Sequence, residues 1–122
     1  MIYNKEELIK RVDEIYDSVV EFRRDLHMHP ELSEQECRTA AKVQEKLTAL
    51  GISFEVNVAG HGVSALIEGK DKNHAVGLRA DMDALPILEK SGAEFASKNE
   101  GVMHACGHDI HTSILIGVAE IL

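Results

Sequence analysis

Nine consecutive residues, Met103-His104-Ala105-Cys106-Gly107-His108-Asp109-Ile110-His111, hold one thiol, three imidazoles and a carboxylate. Core packing does not call for such a density of electron-pair donors. Thiolate and imidazole together suit zinc and its first-row neighbours, whereas magnesium and calcium favour oxygen alone, so the segment reads as part of a transition-metal site. Cys106 and His108 flank Gly107, whose backbone freedom lets the two side chains turn toward one point. The competing reading is a buried, inert Cys106 beside a His108 that closes a loop. His104 and His111 stay open between ligand, supporting partner and surface histidine. Asp109 fits two tasks: accepting the second ring proton of a metal-bound imidazole, or capping the helix that follows.

A second constellation is Asp81-Met82-Asp83, placed after the apolar run 75–80 and before Ala84-Leu85-Pro86. Side chains on alternate residues of a strand oppose each other. At a strand end, twist and the following turn let both carboxylates approach one cation or hold its ligands. Solvated loop acids are the plain alternative. Ligands of open α/β sheets gather at such strand ends.

The elements that must position these groups follow from periodicity. Leu8, Val12, Ile15, Val19, Phe22 and Leu26 recur at helical spacing among charged residues, predicting a helix over 5–26. His29-Pro30-Glu31-Leu32-Ser33 interrupts it, because Pro30 disfavours helical geometry before it. Ser33 with Glu36 has the form of a capping box. Ala40, Val43, Leu47 and Leu50 then give a second apolar face ending at Gly51. Cys37, on or beside that face, reads as a small buried hydrophobe.

From Ile52 to Val58 apolar residues alternate, as in a half-buried strand. Gly60-His61-Gly62 makes a turn, 63–68 a second strand, Gly69-Lys70-Asp71-Lys72-Asn73 a hairpin loop and 75–80 a third, buried strand. Residues 88–102 lack periodicity and read as a surface excursion. The apolar run after the donor cluster forms a final helix. The expected architecture is α/β with order α-α-β-β-β-α, without internal repeat or linker.

Composition limits the function. The 122 residues, 44% hydrophobic and 28% charged, suffice for one globular domain. Thirteen basic against twenty-one acidic residues leave a net charge of −8, which argues against a nucleic-acid surface. The segment Met1 to Glu7 lacks a signal-peptide pattern and no run is long enough to span a bilayer, so the expected setting is the cytoplasm, without membrane attachment. In that reducing compartment Cys37 and Cys106 are not expected to pair.

Three ordered motifs, Leu26-His27-Met28-His29-Pro30-Glu31-Leu32-Ser33, Leu78-Arg79-Ala80-Asp81-Met82-Asp83-Ala84-Leu85-Pro86 and Met103-His104-Ala105-Cys106-Gly107-His108-Asp109, span most of the chain. Together they resemble the N-terminal part of the metal-dependent amidohydrolase family of hippurate hydrolases, N-acyl-amino-acid amidohydrolases and indoleacetyl-amino-acid hydrolases, kin to dinuclear zinc peptidases. The resemblance implies the N-terminal portion of a zinc-peptidase-like three-layer catalytic domain, with its sheet incomplete. It makes Cys106 and His108 metal ligands, with Asp81, Asp83 and Asp109 in supporting roles. The complete site would hold two divalent ions, zinc, manganese, cobalt or nickel. Its substrate would be an N-acyl amino acid or short peptide, and the complete enzyme a homodimer. His27 and His29 mark the family without an assigned role.

In such enzymes the metal activates water and polarises the scissile carbonyl while a glutamate removes the water proton. Here the paired glutamates, the further histidine ligands and the inserted lid and dimerisation domain are expected beyond Leu122, so the chain reads as a truncated enzyme with little activity alone. Two other classes compete: a cysteine hydrolase with Cys106 as nucleophile, and a non-catalytic remnant that binds a partner through its unfinished sheet.

Overall fold

The computed structural model describes residues 3–122; Met1 and Ile2, the start of the segment read for a signal sequence, lie outside the described residues. Helix α1 spans Lys5–Met28. Its start is set by a reciprocal cap in which the Glu7 N–H donates to Asn4 Oδ1 at 2.9 Å and the Asn4 N–H to Glu7 Oε2 at 3.0 Å. It ends just before Pro30, as the expected boundary required.

Helix α2 spans Cys37–Ala49. The Ser33–Glu36 capping box is not formed; Glu36 occupies the cap position with no side-chain bond. Glu31 does that work from the preceding loop. Its carboxylate accepts the N–H groups of Arg38 at 2.9 Å and Thr39 at 2.6 Å, and the Thr39 hydroxyl at 2.7 Å. A full negative charge on two unpaired amides at the helix start satisfies them better than a neutral serine hydroxyl would. At the other end Gly51, at φ 69°, lets the chain reverse while the N–H groups of Gly51 and Ile52 return to the carbonyls of Thr48 and Leu47.

Strands β1, Phe54–Val58, and β2, Gly62–Ala65, pair antiparallel with Phe54 opposite Ala65. The third strand and its hairpin are corrections to the expected order: residues 66–80 take no strand pairing, and Val76 is 88% exposed. A short apolar strand is held by ladder partners on its flanks, and residues 75–80 have none among the described residues. For the same reason β1 is not half-buried. Only Phe54 turns partly inward, while Val56 and Val58 stay exposed.

Helix α3 spans His108–Ile121 and packs along α1. Gly117 sets the approach, since a Cβ there would lie 3.2 Å from Val19 Cγ2. Phe22 and Leu26 of α1, Val43 and Leu47 of α2 and Ile116 of α3 form the core, with Ile52, Phe54, Val63 and Met82 packed against it. The architecture of the described residues is α/β, with three helices and a two-stranded antiparallel sheet. Among the described residues no helix is long and apolar enough to cross a membrane.

Candidate metal centre

Backbone bonds sew the three motifs together. The Ala84 N–H donates to the Glu31 carbonyl at 2.8 Å, within a parallel bridge between Leu32 and Ala84. Leu85 and Met103 exchange both of their N–H···O bonds at 2.9 Å in an antiparallel bridge. Asp83 therefore lies one residue before the first junction on its segment, and Cys106 lies three residues after the second junction. Residues 88–102 tighten the arrangement and are more than the surface excursion expected. The Lys98 N–H donates to Met28 O, the Asn99 side-chain amide to Pro30 O, and Val102 is buried.

Gly107, at φ 94°, supplies the left-handed turn that starts α3, and His108 is the first helical residue. His108 Nδ1 lies 2.9 Å from both the carbonyl and Oδ1 of Asp83. Both partners accept, so in the neutral ring Nδ1 carries the proton and Nε2 keeps its lone pair. This is the carboxylate–imidazole pairing that orients a metal-binding histidine. The partner is Asp83, 25 residues away in sequence, and not neighbouring Asp109.

Asp81 plays a different part. Its backbone carbonyl accepts the Thr112 hydroxyl at 2.9 Å, tying the end of residues 75–81 to α3. Its exposed carboxylate meets Arg79 at 2.6 Å, and that guanidinium holds it below the usual carboxylate range. The His111 ring stands 6.0 Å from that of His108, centre to centre. Cys106 is an exposed free thiol.

Asp109 faces inward, 1% exposed, and does not cap α3. Its Oδ2 accepts from Arg23 Nε at 2.9 Å and lies 2.7 Å from His27 Nδ1. The other His27 nitrogen is 3.1 Å from Glu89 Oε1. Glu89 is anchored in turn by the Ser97 N–H and the Ser91 hydroxyl. Phe95 closes the group, edge-on to His27 and under the guanidinium groups of Arg23 and Arg24. Arg23, His27, Glu89 and Phe95 thus hold the start of α3 from behind. Spacing gave no sign of them, although His27 lies in a motif whose role was open. His104 is also buried, with both ring nitrogens unpartnered, and burial pushes its imidazole below the ordinary value against the opposing charge of Asp109.

As a metal site this is partial. Cys106 and His108 offer sulfur and nitrogen donors of the borderline-soft kind, and Asp83 already orients the ring. Among the described residues, however, no group of three or more histidine, cysteine, aspartate or glutamate side chains converges on a point.

The model of peptidase family M20/M25/M40 matches residues 77–122, the stretch carrying Asp81, Asp83, Cys106 and His108. The YXEP protein of Bacillus subtilis, a dinuclear metal-binding peptidase of the M20 family, superposes with a TM-score of 0.85 at 43% identity, over 89% of this chain and 31% of that one. Over these stretches the chain is similar in sequence and fold to a peptidase of the M20 family. An N-acyl-L-amino acid amidohydrolase of Geobacillus stearothermophilus is 50% identical over 117 residues, 96% of this chain and 32% of the relative. Thermostable carboxypeptidase 2 of Saccharolobus solfataricus is 48% identical over 118 residues. The chain spans about 30% of the length of these relatives.

Proposed function

We propose that this chain contributes Cys106 and His108 as metal ligands to the dinuclear centre of an M20-type amidohydrolase, as one part of its catalytic domain. The observation that carries the reading is the Asp83–His108 pair, which leaves the lone pair on Nε2, in a residue one glycine along the chain from the exposed thiol of Cys106. Asp83 orients His108. Asp81 holds the neighbouring backbone through Thr112, and Asp109 fixes the first turn of α3 through Arg23 and His27.

The bound ions, zinc, manganese, cobalt or nickel, would supply an activated water and polarise the scissile carbonyl. The substrate class is an N-acyl amino acid, hippurate-like, or a short peptide, in keeping with the amidohydrolase and carboxypeptidase names of the relatives. The general-base glutamate and the remaining ligands belong to the rest of the catalytic centre, because the described residues bring together fewer than three donors. The 122 residues alone are therefore expected to hold zinc weakly and to hydrolyse nothing. The whole enzyme acts in the cytoplasm as a homodimer.

The test is metal stoichiometry and hydrolysis of hippurate by the whole enzyme. Cys106→Ser and His108→Asn should each lower the metal content per chain, and Asp83→Asn should weaken metal affinity by about 10–100-fold. Unchanged stoichiometry in the first two variants rejects the ligand assignment. The cysteine-hydrolase reading draws no support from geometry: the thiol–imidazole contact in the structure is made by Cys37, not Cys106.

A further inference from the structure

Two histidines outside the proposed metal pair meet partners that their spacing did not announce. His61 stands beside Cys37, which is an exposed thiol at the start of α2 and not the buried hydrophobe expected. His27 is enclosed, 4% exposed, and each of its ring nitrogens faces a carboxylate.

Nδ1 of His27 lies 2.7 Å from Asp109 Oδ2, the same oxygen that Arg23 Nε meets at 2.9 Å in an ion pair. Nε2 lies 3.1 Å from Glu89 Oε1. Burial alone would raise the Glu89 carboxyl, yet the Ser91 hydroxyl, the Ser97 N–H and His27 bring it down to about 2, so it is ionised at neutral pH. Two ionised carboxylates only accept. A neutral ring has a single N–H and would turn a lone pair on one of them, whereas an imidazolium donates to both.

Charge balance points the same way. With His27 protonated, Arg23 and His27 offset Asp109 and Glu89, and no uncompensated charge is left inside the group. Arg23 Nη2, 3.3 Å from Nδ1, faces the ring as a second cation, and Asp109 Oδ2 is shared between the two. His104, its ring centre 6.3 Å away, is held below the ordinary histidine value by burial and adds no charge at neutral pH.

We propose that His27 is a buried imidazolium whose two N–H groups clamp Glu89, in the segment 88–102, to Asp109 in the first turn of α3. Glu89 also accepts the Ser97 N–H at 2.6 Å, so the segment folds round the carboxylate that His27 holds. His27 is thereby a positioning residue for the turn that carries His108. That last step rests on the ligand role proposed for His108; the charge of His27 does not.

The experiment records long-range proton–nitrogen spectra of the histidine rings in the 122-residue chain at a pH of about 8, where an ordinary imidazole is neutral. Both His27 nitrogens should be protonated in the folded chain, and the ring should be neutral in urea. Glu89→Gln, with its helical circular dichroism retained, supplies an amide that can donate to Nε2, so His27 should become neutral there. The Ile110 and His111 amides, bonded to the Gly107 carbonyl, should then exchange about tenfold faster, the worth of one hydrogen bond to a charged group. A single protonated nitrogen on His27 in the folded parent chain overturns the proposal. So does a folded Glu89→Gln chain in which His27 keeps both protons or the two amides keep the parent rate.

Discussion

The ends of the three motifs and the stretch from Ile52 to Ala80 are comparably rich in apolar residues, yet they reach opposite outcomes. Around Glu31, Ala84, Met103 and Asp109 the chain is cross-linked by backbone bridges and by the buried Asp109 carboxylate, which meets Arg23 and His27. From β1 onward Val56, Val58, Leu66, Val76 and Leu78 stand exposed. Hydrophobicity alone does not explain the contrast. Helices satisfy their own amides and need only one packed face, whereas a strand needs partners on both flanks before its side chains can be covered.

The largest effect should come from the buried ion network. Asp109→Ala leaves Arg23 and the His27 ring without their shared acceptor and should cost about 3–5 kcal/mol of unfolding free energy in urea titrations, as removal of one partner of a buried pair does. A loss under about 1 kcal/mol, the worth of a surface pair, would break the claim that this region is held by buried charge.

The two regions can be set against each other directly. Leu26 is fully buried and Val76 is 88% exposed. Leu26→Ala should destabilise by about 2–5 kcal/mol, and Val76→Ala by less than about 0.5 kcal/mol. Similar losses at the two sites would mean that residues 75–80 are packed in solution.

A smaller change tests the replacement cap. Glu31→Ala frees the amides of Arg38 and Thr39 and should lower stability by about 1–2 kcal/mol, whereas Ser33→Ala should have no measurable effect. Equal effects would restore the Ser33 cap.

The mildest probe is pH. Desolvation by itself would raise the Glu89 carboxyl, but the Ser91 hydroxyl, the Ser97 N–H and His27 outweigh it and bring the group from 4.5 to about 2. A carboxyl lowered on folding stabilises above its unfolded value, and that contribution fades as pH falls from about 4.5 through about 2. Chemical denaturation across this window should show a shallower slope for Glu89→Gln than for the parent chain. Identical slopes would remove Glu89 from the network.

Much of the framework was legible in the residues themselves. The spacing of Ile15, Phe22 and Leu26 marks the buried face of α1, and Gly51 marks the end of α2. The donor cluster was legible by composition. Its internal assignments were not: Asp109 stands next to His108 in sequence, but Asp83 makes the bond and Asp109 turns inward. Cys37 carried no sign of His61, 24 residues on.

Local order therefore determined the helices, the extended run of β1, and the residue types able to bind a metal, because each depends on groups within a few positions of one another. Tertiary structure alone decided which carboxylate orients His108, which one caps α2, and that residues 75–80 stay unpaired. Those outcomes depend on which distant segments meet, and helical or strand periodicity holds no information about groups 25 or 82 residues apart.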